Sequence, residues 1–263
     1  MQDIHFILKK YWGFSNFRPL QQEIIEAVLQ KNDVLALMPT GGGKSICFQV
    51  PAMAMEGICL VISPLIALIK DQVETLQQKG INTLAIYSGM HFTEIKKTLQ
   101  NAAYGNYKFL YLSPERLQTR LFKEFLPAIN PSLIVADEAH CISEWGHDFR
   151  PEYRRLREMM DEINKDVPVI ALTATATPKV QSDIVKNLGL RKPKIFISSF
   201  NRPNLYYEIQ PKINLEQTNK SIVRFIQLHK NKSGIIYTLN RKTTEELAKM
   251  LVANGIKAVA YHA

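Results

Sequence analysis

The stretch Met38 to Ser45 reads MPTGGGKS and closes the apolar run VLALM at residues 34–38. Three consecutive glycines, Gly41, Gly42 and Gly43, let backbone N–H groups curl around phosphate oxygens, and a helix beginning just beyond adds its positive end. Lys44 then reaches the β- and γ-phosphates, and the Ser45 hydroxyl ligates Mg²⁺. Met38, Pro39 and Thr40 lead the chain into this loop; the general pattern begins with Gly, and here that position is Met38. A second set of residues, DEAH at 137–140, follows the apolar run LIVA. Asp137 is read as the carboxylate that holds Mg²⁺ through water, and Glu138 as the base that activates an attacking water. A third, ALTATAT at 171–177, offers small hydroxyls that could sense a γ-phosphate. Side-chain capping at a Thr-rich strand end is the competing reading of that segment.

These residues need a scaffold that brings them together. Short β-rich runs recur at 34–38, 58–62, 84–87, 109–112, 133–136, 169–172 and 195–197, separated by helix-length segments. Between the second and third runs, Leu65, Leu68, Ile69, Val73 and Leu76 follow helical spacing, with Gly80 as the cap. Strands alternating with helices imply βαβ units and a parallel sheet covered on both faces, with sites at the carboxyl ends of the strands. The pattern breaks at residues 198–219, where Pro and Asn interrupt it. It restarts with a helix near 219–230, a strand GIIYTL (234–239), a helix from Thr243 to Asn254 and a strand KAVAY. The expected organisation is one α/β domain over residues 1–205 and the beginning of a second over 206–263.

Composition narrows the setting. The formal net charge is +9, and residues 206–263 hold nine Lys/Arg against four Asp/Glu. Such a balance attracts polyanions, although many proteins without such partners are equally basic. Cys47, Cys59 and Cys141 are odd in number and far apart, which excludes a disulfide framework and a zinc knuckle. The N-terminus is too polar for a signal peptide, and no apolar run reaches membrane-spanning length. A soluble, cytoplasmic protein is expected, nucleoid-associated if bacterial.

Directly after the acids, Trp145, His147, Phe149, Arg150 and Tyr153 crowd into nine residues with Gly146, Asp148 and Pro151. Exposed aromatics beside Arg are the chemistry of single-stranded nucleic acid, with bases stacking on rings and phosphates meeting guanidinium. Core anchoring by Trp145 and Phe149 is the alternative. Ser63-Pro64 and Ser113-Pro114 each follow a strand, where their hydroxyls could grip nucleic-acid phosphates or act as helix caps.

MPTGGGKS, SPLIALIKDQV, YLSPERL, DEAH and ALTATAT stand in the order of superfamily 2 helicase motifs I, Ia, Ib, II and III. FRPLQQEII (17–25) resembles the RecQ form of the adenine-reading motif, and CISEWGHDFRPEY (141–153) resembles the aromatic-rich loop of RecQ DNA helicases. The resemblance covers essentially the whole chain and implies a P-loop NTPase fold of the RecA-like type, with ATP and Mg²⁺ as ligands. It implies single-stranded and partly duplex DNA as partner, and a role in DNA repair and recombination. It further implies that Gln21 hydrogen-bonds adenine with Arg18 beside it, and that Phe14, where relatives often carry Tyr, stacks on the ring. Trp145, Phe149 and Arg150 would touch single-stranded DNA or couple its arrival to the nucleotide site. Glu144 stands where many bacterial relatives carry Gln, and Tyr237 to Arg241 resembles motif IV. The family pattern continues with motifs V and VI and further regions, so the chain reads as a truncation expected to bind ATP weakly and to be inactive alone. An RNA helicase and a non-catalytic, nucleotide-regulated nucleic-acid-binding module are the rival readings.

Overall fold

The repeated strand–helix pattern folds, in a computed structural model, around one seven-stranded sheet. The structure describes residues 3–146, 149–163, 166–199, 201, 204–212 and 214–262. The strands are β1 (Val34–Leu37), β2 (Ile58–Ile62), β3 (Thr83–Ile86), β4 (Phe109–Leu112), β5 (Pro131–Ala136), β6 (Val169–Thr173) and β7 (Lys194–Ile197). Their order is β3-β4-β2-β5-β6-β1-β7, and every neighbouring pair is parallel. All seven strands expected from the apolar runs form.

Period-two alternation sends the side chains of each strand to two helical layers. Leu35, Leu37, Leu60 and Ile62 face a layer made by α5 (Phe92–Tyr104), α6 (Arg120–Phe125), α7 (Arg155–Glu162) and α8 (Pro178–Leu188). Val34, Ala36, Cys59 and Val61 face α2 (Gln21–Leu29), α3 (Ile46–Ala54) and α4 (Ile66–Gln78). Covering on both faces explains why the inner strands read as continuous apolar runs. Helix α1 (Ile4–Trp12) packs on α2 and α3 through Ile7, Leu8, Ile25, Ile46 and Val50. That packing holds the segment 14–20 over the end of β1. Helix α4 ends as its sequence implied. Gly80, at φ +75°, turns the chain so that its N–H donates to the Gln77 carbonyl and that of Ile81 to Leu76.

The hydrogen-bond ladder runs one residue past several strands. Met38 N–H donates to Thr173, Ser63 N–H to Leu112, Ser113 N–H to Ile86 and Asp137 N–H to Ile62. These bonds fix the depth at which the carboxyl-end residues sit. At the opposite edge, buried Asp33 accepts from the N–H groups of Val169 (3.1 Å) and Arg191 (2.7 Å), and from Arg191 Nε at 3.2 Å. One carboxylate thereby joins the starts of β1 and β6 to the lead-in of β7.

The chain divides into two compact units, residues 1–202 and 203–263. In the second, α9 (Leu215–Leu228) and α10 (Arg241–Ala253) begin at asparagine caps. Asn214 Oδ1 accepts from Gln217 N–H at 2.8 Å and Asn240 Oδ1 from Thr243 N–H at 2.9 Å. The expected strands GIIYTL and KAVAY do not form: neither carries a ladder, and Tyr237, Leu239, Val259 and Tyr261 are exposed. A strand exists only with a hydrogen-bonded neighbour, and no such neighbour pairs with these segments among the described residues. The three cysteines are buried, and none of them forms a disulfide among the described residues.

Asp33→Ala leaves two buried N–H groups without an acceptor, each costing about 1–3 kcal/mol. Unfolding of the first unit in urea is expected to shift by about 2–4 kcal/mol; a change below 0.5 kcal/mol would contradict the role of this carboxylate.

Candidate nucleotide site and nucleic-acid interface

The loop from Met38 to Ser45 joins β1 to α3, and its backbone is spent in one direction only. Gly42 N–H donates to the Pro39 carbonyl, which closes the turn. The N–H groups of Gly43, Lys44 and Ser45 donate to no backbone carbonyl, so they stay available to an anion. Gly41 and Gly43 sit at φ +77° and +81°, where a side chain is strained, and a Cβ at Gly43 would collide with the Gln21 amide. Helix α3 starts at Ile46, so Lys44 and Ser45 lie in a turn ahead of it; Lys44 Nζ rests 3.4 Å from the Met38 carbonyl.

A pocket of about 570 Å³ opens on this loop, and its lining includes Phe14, Arg18, Gln21, Lys44, Asp137 and Glu138. Sequence positions far apart thus share one wall. Arg18 Nη1 donates to the Gly41 carbonyl at 2.6 Å, and Gln21 Nε2 donates to the Gly43 carbonyl at 3.1 Å. Gln21 Oε1 accepts from Arg18 N–H at 2.8 Å. Both side chains read from the sequence as adenine contacts therefore also clamp the phosphate loop. Phe14 is half-exposed at the pocket's rim. Met38 is fully buried and contributes packing behind the loop, with its sulfur 3.6 Å from Cys47 Sγ.

Asp137 is part-buried just past the end of β5, where it lines the pocket, and no cation pairs with it among the described residues. Burial raises its pKa to about 6, and the Glu138 charge adds to the rise, against smaller lowering by the Glu138 N–H, Lys44 and Ser63. Tyr153, fully buried, donates its hydroxyl to the Asp137 carbonyl at 2.6 Å. Glu138 follows in the left-handed region, at φ 47°, an arrangement costing about 1–2 kcal/mol for a side-chain-bearing residue. Its Oε2 lies 3.3 Å from His140 Nδ1, which lies 3.0 Å from Thr173 Oγ1. The third motif thus touches the acid pair through one imidazole.

The segment after the acids divides. Trp145 is 67% exposed, with Lys179 Nζ 3.1 Å from its ring centroid, while Tyr153 is core. Phe149 is half-buried against the Arg154 guanidinium. Arg150 Nη1 donates to the Pro64 carbonyl at 3.0 Å, which ties the segment to the end of β2. Ser143 Oγ donates to Asp183 on α8 at 2.7 Å and accepts from Trp145 N–H. His147 and Asp148 lie outside the described residues. The hydroxyls of Ser63 and Ser113 are buried, so neither faces a phosphate at the surface; Ser63 caps no helix, whereas Ser113 stands at the N-cap of a short 3-10 helix with Pro114 in its first position, its hydroxyl making no capping bond. Nothing in the sequence marks Gln49, Gln72 and Tyr111, yet Gln49 Nε2 donates to Gln72 Oε1 at 3.0 Å and to Tyr111 OH at 3.3 Å beside the pocket.

A parallel RecA-like sheet with a glycine-rich loop after one strand and a part-buried acid after another is the core fold of P-loop nucleoside triphosphatases. Solved structures agree: a hypothetical ATP-dependent RNA helicase from Sulfolobus tokodaii superposes with a TM-score of 0.61 over 95% of this chain and 72% of that one. At 18% identity that likeness concerns the fold alone. The family described as DEAD/DEAH box helicase matches residues 18–184. ATP-dependent DNA helicase RecQ of Bacillus subtilis is 41% identical over 97% of this chain and 43% of its own length. The RecQ helicase of Pasteurella multocida is 43% identical over 98% of this chain and 40% of its own. The chain belongs to the DEAD/DEAH box helicase family and, within it, to the RecQ helicases. It spans about two fifths of the length of these curated relatives. No helix among the described residues is long and apolar enough to cross a membrane.

The raised pKa of Asp137 has a signed consequence. Its folded value lies above the ordinary one, so the free protein loses stability as pH rises from about 4 to about 6 and stays lower above that. Asp137→Asn removes the penalty. Urea unfolding of the ligand-free chain at pH 8 is expected to show a gain of about 2–3 kcal/mol, shrinking as the pH approaches 4. A loss of stability at pH 8 would contradict the burial argument.

Proposed function

We propose that this chain is the N-terminal part of the motor core of an ATP-dependent DNA helicase of the RecQ type, which as a whole couples ATP hydrolysis to translocation on single-stranded DNA and unwinding of duplex. The observation that carries the reading is the set of N–H groups on Gly43, Lys44 and Ser45 that meet no backbone carbonyl among the described residues, in one pocket with the part-buried Asp137 carboxylate. Amides and Lys44 supply positive potential where ATP phosphates would lie, and Ser45 and Asp137 supply the oxygens that Mg²⁺ takes. A part-buried carboxylate with a raised pKa and no paired cation among the described residues fits such an ion. Bound Mg²⁺ would neutralise charge developing on the phosphate oxygens.

Glu138 is the base for the attacking water, and its link through His140 to Thr173 holds the carboxylate near the third motif. Gln21 can clamp the loop and read adenine at once, since each of its two polar ends uses one bond and keeps another. Phe14 supplies the stacking face at the rim, and Arg18 flanks the base. Trp145, Phe149 and Arg150 form the DNA-facing loop, with Trp145 the exposed platform and Arg150 the tie to β2. Residues 206–263 are the beginning of a second RecA-like domain. DNA rather than RNA is the polyanion favoured by the names of the curated relatives and by the aromatic loop. The setting proposed is DNA repair and recombination inside the cell.

In the full-length protein, Glu138→Gln is expected to keep Mg²⁺-ATP binding and lower turnover by about 10²–10⁴-fold, whereas Lys44→Ala lowers both. Normal turnover in Glu138→Gln would remove the base assignment. Trp145→Ala is expected to weaken single-stranded DNA by about 1–3 kcal/mol and to depress DNA-stimulated hydrolysis more than basal hydrolysis. Stimulation by single-stranded RNA equal to that by DNA would favour an RNA helicase instead.

A further inference from the structure

Three groups at the inner wall of the nucleotide pocket have no assigned role: Ser63, Tyr111 and Gln49. Ser63 and Tyr111 both line the pocket that Asp137 lines, and each is 1% exposed. Ser63 follows β2 and Asp137 follows β5, and these strands are neighbours with Ile62 opposite Ala136. The Ser63 hydroxyl lies close enough to the Asp137 carboxylate to favour its charged form, yet makes no hydrogen bond of good geometry with any group. A buried hydroxyl left in that state costs about 1–3 kcal/mol unless something outside the protein uses it. Tyr111 projects from β4, on the far side of β2, and feels the Asp137 charge. Its oxygen accepts from Gln49 Nε2, which leaves the O–H and one lone pair uncommitted. Gln49 itself is buried on α3 and is fixed from the other side by Gln72.

The chemistry of this wall selects its ligand. Mg²⁺ keeps several of its waters in sites of this kind, and a metal-bound water turns its lone pairs to the metal and only donates. A wall that receives such waters needs acceptors, and a neutral hydroxyl beside a carboxylate can accept a hydrogen bond from water while donating its own to the carboxylate. Lysine and arginine cannot accept. Ser63 and Tyr111 have the required valence, and their burial keeps bulk water from competing.

We propose that Ser63 and Tyr111 form, with Asp137, the receiving wall for the water shell of the nucleotide's Mg²⁺, and that Gln49 is the positioning residue that aims the Tyr111 hydroxyl. The proposal rests on the nucleotide reading of this pocket. It extends the metal site beyond the loop serine and the strand-end acid to two hydroxyls on β2 and β4, drawn from the segments around the two Ser-Pro pairs. It also gives the buried hydroxyl of Ser63 an occupation that neither capping nor a surface phosphate contact provides.

The test titrates Mg²⁺ against the 263-residue chain and a fluorescent, non-hydrolysable ATP analogue, and reads the half-saturating Mg²⁺ concentration. Ser63→Ala and Tyr111→Phe are each expected to raise it about tenfold, the range found for partners of metal-bound groups. Gln49→Leu is expected to raise it by a similar factor while Ser63 and Tyr111 remain. Both hydroxyl variants are nearly isosteric, and thermal melting run in parallel separates a folding defect from a metal defect. A lowered melting temperature with unchanged half-saturating Mg²⁺ overturns the proposal, because that is the outcome of a purely structural role. An equal loss of analogue affinity in EDTA and in Mg²⁺ also overturns it, since the effect would then not pass through the metal. If the unsubstituted chain shows no Mg²⁺-dependent binding, the nucleotide reading falls and the proposal with it.

Discussion

The structure turns on one part-buried carboxylate just past the end of an inner strand. Asp137 ends β5 with sheet on both sides, its N–H bonded to β2 and its carbonyl held by the Tyr153 hydroxyl. In that low-dielectric position a negative charge is unfavourable, which is why its pKa rises to about 6. The Glu138 N–H, Lys44 and the Ser63 hydroxyl offset part of that cost, and the neighbouring Glu138 charge adds to it.

The parallel sheet makes that arrangement possible. Parallel pairing puts every carboxyl end on one edge, and the order β4-β2-β5-β6-β1 places five motif-bearing loops side by side. Bonds across that edge are short and specific. His140 lies between Glu138 and Thr173, Arg150 reaches Pro64, and Ser143 reaches Asp183. The aromatic segment and the acid pair are consecutive in the chain and share the Tyr153 anchor, so displacement of one strains the other. The left-handed Glu138 belongs to this set: a strained backbone persists at a position where neighbouring hydrogen bonds determine it.

The second unit contrasts with the first. Its two helices are capped by asparagine and form, because helices satisfy their backbone locally. Its two β-rich segments satisfy nothing locally and stay outside any ladder. The same sequence rule that located seven strands in the first unit located two segments here whose pairing is nonlocal.

The amino-acid sequence by itself determined the strands of the first unit, the glycine loop and the acid pair. Runs buried on both faces announce themselves by continuous apolarity, glycine at positive φ by the absence of a side chain, and Lys44 and Asp137 by their place after strands. Tertiary structure decided which neighbours those residues acquired. Trp145 is exposed and Tyr153 buried within one aromatic-rich run, and composition cannot order them because the difference lies in which ring falls beneath Asp137. Gln21 clamps Gly43 because α1 and α2 pack against α3, and the Ser63 and Ser113 hydroxyls turn inward because β2 and β4 are central strands. Strand order and helix packing are sums over contacts distant in sequence, so no local pattern of residues can encode them.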